Sequence, residues 1–80
     1  MNAFEIYEAA FDAAQGDNRA ATAEYVSDYA DGALEISVSN EVAQKIADVR
    51  ADYLAQCETG EIDSNWIYYN VQAALEEIEV

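Results

Sequence analysis

Four stretches of the chain place apolar residues three and four positions apart, the spacing that lines one face of an α-helix. The clearest stretch extends from Ser39 to Cys57. Ser39 is a suitable N-cap and Gly60 is a suitable stop, so we predict a central helix that ends at about Glu58. Its core face is predicted to consist of Val42, Ile46, Val49 and Tyr53.

A first helix is predicted from Ala3 to Gln15, with Gly16 as its stop and an apolar stripe formed by Phe4, Tyr7, Phe11 and Ala14. The last helix is predicted to begin near Asp63 or Ser64. Its buried stripe is predicted to consist of Ile67, Val71, Ala74, Leu75 and Ile78.

A second helix can be capped by Asp17 or Asn18 and is predicted to extend to about Ala30, with Gly32 ending it. Its inward residues are predicted to be Ala21, Tyr25 and Tyr29. Residues 33–39 then alternate apolar and polar side chains, which is typical of a short half-buried strand. An isolated strand is unstable, which favours an extended connector over a strand paired with another segment or a second copy.

The predicted fold is therefore mostly α: a compact bundle of about four helices with one short extended segment, residues 33–39. Eighty residues are enough for one domain, residues 1–80, with a modest core. The hydrophobic share of 52% and the nine aromatic residues indicate a folded domain.

Charge is the strongest compositional signal, because 17 acidic residues face only three basic ones and give a net charge of −14. The single cysteine, Cys57, excludes an internal disulfide and is interpreted as a core thiol. We expect a cytoplasmic protein, since the N-terminal residues lack the pattern of a signal peptide and no long apolar run is present. Its negative surface is expected to bind neither membranes nor nucleic acid directly.

Several carboxylates fall where a helix is already partly negative, near the predicted C-terminal ends. No Lys or Arg offsets them there, which suggests that the charge serves an external purpose: a basic partner or solubility. A merely solvated acidic face is the simpler interpretation of such residues. They are Asp28, Asp31, Glu58, Glu76, Glu77 and Glu79.

Two rows of acidic side chains repeat every 5 to 6 Å or so along predicted helices, and duplex DNA carries one charge per about 3.4 Å along each strand. In size, charge and helical character the whole chain resembles the small acidic DNA mimics that phages and mobile elements encode against restriction enzymes and CRISPR effectors. The resemblance implies stoichiometric inhibition of a basic DNA- or RNA-binding protein, in the host cytoplasm if phage-encoded. The rows are Glu5, Glu8 and Asp12, and Glu41, Asp48 and Asp52, with Lys45 spaced to pair with Glu41.

Trp66 and Tyr69 fall on the side of the last helix opposite the stripe that begins at Ile67. They are a candidate interface for a partner or a second copy, which leaves a homodimer possible. The alternative is that the first helix or residues 33–39 cover them. Together with Glu76 and Glu77, they complete the predicted partner-binding set.

No catalytic residue, metal ligand or cofactor site is predicted. The chain contains no histidine, no glycine-rich phosphate loop and no nucleophile–base set, so an enzyme is not expected. Two alternatives to mimicry stay open. One is an acidic helical interaction module, such as an antitoxin or adaptor, that binds a basic protein without imitating nucleic acid; the other is salt adaptation of an ordinary domain.

Overall fold

The computed structural model describes residues 1–80 and contains four α-helices and no named strand. The helices are α1 (Ala3–Ala13), α2 (Ala23–Ala33), α3 (Asn40–Thr59) and α4 (Ser64–Leu75). A short 3₁₀ turn, Asn18–Ala20, lies between α1 and α2. The predicted mostly α bundle is confirmed. No helix combines the length and apolar character required to cross a membrane.

A side-chain cap fixes where each of the four helices begins. Asn2 and Glu5 form a reciprocal capping box at α1, with N···O distances of 2.9 and 3.1 Å. The Ser39 hydroxyl accepts from the backbone N–H of Val42 at 3.2 Å, and the Asp63 carboxylate caps α4. Each of these caps joins residues that lie within three positions of one another, so it can be recognised in the sequence. The predicted starts of the third and fourth helices are confirmed.

The predicted boundaries of the second helix are wrong at both ends. Asp17 caps the 3₁₀ turn, and the cap of α2 is Thr22, whose hydroxyl accepts from the backbone of Tyr25 at 3.1 Å. At the other end α2 continues through Gly32 to Ala33. The chain leaves the helix at Glu35, which has a φ of 56°.

The core lies between all four helices, and α3 packs chiefly on α2 and α4. On α3, Ile46 is fully buried as predicted, whereas Val42, Val49 and Tyr53 are only half-buried at the edge of the core. The buried face is shifted toward Ala43 and Ala47, small side chains that permit close helix packing. On α2 the buried residues are Val26 and Ala30, while the predicted Tyr25 and Tyr29 are half-buried. The predicted Ala21 is half-buried too, but it lies before α2 begins.

The buried stripes of the first and last helices, α1 and α4, are largely as predicted. Phe4, Tyr7 and Phe11 are buried on α1, and Ile67, Val71 and Leu75 are buried on α4. Ala74 is exposed, contrary to prediction, because the buried arc of α4 is narrow. Ile78 lies beyond the helix and packs on the core.

Residues 35–39 form no strand and act as an extended connector, as favoured from the sequence. The predicted segment, residues 33–39, starts too early, because Ala33 is the last residue of α2 and Leu34 caps it. Leu34 and Val38 pack against the core while the alternate residues face solvent. The two chain termini meet instead: Ala3 N–H donates to the carbonyl of Ile78 at 2.7 Å, and Val80 N–H donates to that of Met1 at 3.0 Å.

Candidate protein-binding surfaces

All 17 carboxylates are exposed, and only one of them forms an ion pair. That pair joins Asp17 to Arg19 at 3.1 Å, two residues apart in the same turn, where the guanidinium lowers the pKa of the Asp17 carboxyl. The predicted pair between Glu41 and Lys45 is not formed. A flexible lysine in water gains little from such a contact. Sixteen carboxylates are therefore free of intramolecular ion pairs.

The predicted α1 row lies on the rim of a shallow cavity of about 630 Å³, which we call the α1 groove. The row contributes three carboxylates, and three aromatic side chains also line the groove. Nine residues line the groove: Met1, Glu5, Tyr7, Glu8, Ala9, Phe11, Asp12, Arg50 and Tyr68.

Arg50, which was not assigned from the sequence to either face of α3, provides the only basic side chain in the α1 groove. Its guanidinium carbon lies 5.8 Å from the ring centre of Tyr7, 5.1 Å from that of Phe11 and 5.2 Å from that of Tyr53. Its Nη1 donates to the Tyr7 hydroxyl at 3.1 Å. Because Arg50 is held by rings and a phenol, it does not form an ion pair with the rim carboxylates.

Tyrosines in and beside the α1 groove are held in their neutral form. Burial raises the pKa of Tyr68 to about 12, and the neighbouring Glu8 carboxylate adds to the rise. Burial also raises the pKa of Tyr7, although the Arg50 guanidinium opposes the shift. Tyr68 contacts Phe4 edge-on, with 5.6 Å between ring centres. These phenols act as neutral hydrogen-bonding groups near physiological pH.

Glu5 has a structural role that was not predicted from the sequence. Its carboxylate accepts from the backbone N–H of Asn2 in the capping box, so it helps to begin α1. Glu8 and Asp12 take part in no helix cap and no ion pair; the Glu8 carboxylate interacts with the Tyr68 hydroxyl, whose pKa it raises. These two rim carboxylates are therefore the ones available to a partner.

The predicted α3 row lies elsewhere. Glu41 and Asp48 line a second, open depression of about 490 Å³ together with Asn40, Gln44 and Lys45, and Asp52 lies outside it. The Asp48 carboxylate accepts from the Gln44 amide at 2.8 Å. The two depressions share no lining residue, so the structure does not join the two rows into one site.

Trp66 and Tyr69 are uncovered: 57% of Trp66 and 68% of Tyr69 remain exposed to solvent. The alternative that the first helix or residues 33–39 cover them is wrong. Neighbouring Tyr68 points to the core side and packs on Phe4 instead. The exposed aromatic patch is therefore a feature of the folded chain.

Glu76 and Glu77 are exposed just beyond the C-terminal end of α4, and no basic residue occupies the last turn of that helix. This is the electrostatically unfavourable position that the sequence indicates. No group of three or more His, Cys, Asp or Glu side chains converges in a geometry that could hold a metal ion. Cys57 is half-buried and lines neither depression.

Comparisons with protein-family models, with curated proteins and with solved structures find no match to this chain. The charge and geometry of the molecule are therefore the basis for proposing its function.

Proposed function

We propose that this protein is a non-catalytic inhibitor that presents an acidic, nucleic-acid-mimicking surface to a basic DNA- or RNA-binding protein, such as a CRISPR effector or restriction enzyme. One observation is the main support for this proposal. All 17 carboxylates face solvent, and 16 of them have no intramolecular ion pair. A surface of this kind keeps its charge for an external cation.

The energetic cost of this arrangement supports the same conclusion. A net charge of −14 on 80 residues opposes compaction by self-repulsion. No helix carries a basic residue in its last turn, although cations are favoured there. A surface selected for stability alone has mixed signs. An acidic surface steers a positively charged nucleic-acid channel toward it and increases the association rate.

The spacing of the free carboxylates is compatible with phosphate mimicry. Glu8 and Asp12 are four residues apart, as are Asp48 and Asp52, which places each pair about 6 Å apart along a helix axis. Helical rows at this interval can engage Lys and Arg side chains that otherwise contact a phosphate backbone. Because two separate rows are present, each one is a distinct candidate contact.

A second candidate function is an acidic interaction module, such as an antitoxin or adaptor, that binds a basic protein without imitating nucleic acid. The α1 groove favours it, since carboxylates around aromatic faces suit a single cationic side chain better than a long channel. Both functions place the protein in the cytoplasm and require a basic protein partner. They differ in whether nucleic acid competes for that partner.

The test is a competition experiment with immobilised protein. A nuclease-treated host lysate is applied at low salt, the column is eluted with a duplex DNA or RNA oligonucleotide, and the eluted proteins are identified. Inhibition is then measured directly as loss of nucleic-acid binding by the purified target. Elution by nucleic acid with inhibition of the target supports mimicry. Partners that resist elution by nucleic acid favour the adaptor, and the absence of any basic partner contradicts both functions.

Matched variants identify the surface that binds. E8Q/D12N and D48N/D52N each remove two negative charges from one row and leave the α1 capping box intact. The control is E24Q/D28N on α2, which removes the same charge from exposed positions outside both depressions. If one row is the recognition surface, its variant weakens binding more than the control does. Equal effects of all three variants indicate that net charge, and not a defined row, attracts the partner.

A further inference from the structure

Helix α4 differs from the other three helices because none of its 12 residues is charged. Every other helix carries at least two acidic side chains. The outer side of α4 is a stripe about 100° wide when residues are placed at 100° per position. We call it the α4 stripe; its members, all exposed, are Trp66, Tyr69, Asn70 and Ala73.

The distribution of charge on the chain indicates which kind of partner can bind the α4 stripe. A basic partner finds no carboxylate on α4, so the stripe lacks the complementarity that the acidic rows offer. A second copy of the chain carries −14 itself and is repelled by the acidic helices. The uncharged face of α4 is where two copies can meet without opposing carboxylates along the helix.

We infer that the α4 stripe is a self-association surface, on which two copies pair their α4 helices antiparallel about a twofold axis. With the axis midway between positions 69 and 70, Trp66 of one copy faces Ala73 of the other, and Tyr69 faces Asn70. Each bulky aromatic side chain thus meets a smaller one. The arrangement places a large side chain over a small one, as close helix packing requires.

The strength of this pairing is limited by area and by the helix ends. Trp66 and Tyr69 offer roughly 250 to 300 Å² of exposed surface per copy, against about 800 Å² per partner in a standard interface. The same axis brings Glu76 of one copy toward Asp63 of the other, two like charges. We therefore expect a weak dimer whose association becomes stronger as salt is added. Binding to a basic partner, in contrast, becomes weaker as salt is added.

Trp66 is the only tryptophan, so its fluorescence reports directly on the α4 stripe. The experiment is a dilution series of the full chain at low and high NaCl, followed by tryptophan emission and sedimentation velocity. We expect the emission to shift to the blue and the sedimentation coefficient to rise with concentration, both more strongly at high salt. Emission and mass that do not change with concentration overturn the proposal, as does association that salt weakens.

A bulkier residue at position 73 distinguishes this specific pairing from nonspecific hydrophobic association. Ala73→Phe adds apolar surface but fills the space opposite Trp66, so we expect the dimer dissociation constant to rise about tenfold to hundredfold. The matched control, Ala55→Phe on an exposed position of α3, is expected to leave it unchanged. An Ala73→Phe variant that associates as well as the parent overturns the twofold arrangement. Neither result bears on the acidic rows, so the proposed inhibitor function is tested separately.

Discussion

Arg50 on α3 donates a hydrogen bond to the hydroxyl of Tyr7 on α1, with 3.1 Å between Nη1 and Oη. The other two basic residues, Arg19 and Lys45, are exposed on the surface. The only cation that packs on the core therefore joins two helices at the α1 groove. It contributes to stability through aromatic contacts and a phenol, not through ion pairs with acids.

Replacing Arg50 tests this role. Arg50→Met keeps much of the apolar stem but loses the hydrogen bond and the contacts with three rings, so we expect unfolding to become easier by about 1 to 2 kcal/mol. Arg50→Lys keeps the charge but lacks the planar guanidinium and should recover only part of that loss. Urea unfolding with an unchanged m-value measures both. A Lys variant as stable as the parent shows that charge alone matters.

What the sequence predicted well was local. The caps at Ser39 and Asp63 and the stop at Gly60 depend on a few neighbouring residues, and all three are found in the structure. The role of Arg50 could not be found in this way, because it depends on Tyr7, which lies 43 residues away in the chain. The one available signal was its spacing, four residues after Ile46, which the sequence placed on the core face of α3.

Helical spacing predicted which candidate side chains share a helix face, but not how those faces are arranged in the fold. Helical spacing was enough to place Glu8 and Asp12 together, and Trp66 and Tyr69 on an exposed face. It could not show that the α1 and α3 rows surround different depressions, because that depends on how the helices pack. Nor could it reveal that aromatic side chains line the groove beside one row.

In the second helix a local rule failed, because Gly32 was predicted to end the helix. Its actual position leads to a prediction about stability. Gly32 lies inside α2, and a methyl group added there meets nothing within 4 Å. Gly32→Ala should therefore stabilise the fold by about 0.5 to 1 kcal/mol. Gly60→Ala is the matched control and should destabilise it, because Gly60 has a φ of 68°. Thermal melting of both variants checks the prediction, which is wrong if both shift the melting temperature in the same direction.

Two of the aliphatic residues on the predicted α3 core face, Ile46 and Val49, should differ in their contribution to stability. Ile46 is fully buried, so Ile46→Ala should cost about 2 to 4 kcal/mol of unfolding free energy. Val49 is only half-buried, so Val49→Ala should cost about 1 kcal/mol. Denaturant unfolding gives both values. Equal costs contradict the rotation of the buried face toward Ala43 and Ala47.

Alkaline pH should destabilise the fold through its tyrosines. The pKa values of Tyr7, Tyr53 and Tyr68 are raised in the folded chain, chiefly by burial, that of Tyr68 to about 12. A raised pKa means that the folded state holds the phenol proton more tightly than the unfolded state does. The contribution of these tyrosines to the free energy of unfolding is therefore fully present below a pH of about 10, the usual pKa of a tyrosine. It is lost as the pH rises toward about 12.

Unfolding free energies measured from pH 7 to 12 test this, and phenolate absorbance follows the ionisation. Tyr68→Phe removes the phenol with the highest pKa and should make the alkaline loss of stability shallower. The substitution leaves the ring in place against Phe4, so the fold should be retained. A stability that is already falling between pH 7 and 9 contradicts the assignment to these tyrosines.

Added salt should raise the melting temperature, because 16 exposed carboxylates without ion-pair partners repel one another. The Debye length falls from about 10 Å at 0.1 M to about 3 Å at 1 M, so NaCl screens this repulsion over that range. A variant neutralised later in α2, D28N/D31N, carries two fewer negative charges and keeps Glu24, whose carboxylate favours the first turn of that helix. It should start from a higher melting temperature and respond less steeply to NaCl. Calorimetry of both proteins across the same salt series measures the difference. A flat response in the parent shows that the carboxylates do not oppose folding, and it removes the energetic argument that their charge serves an external partner.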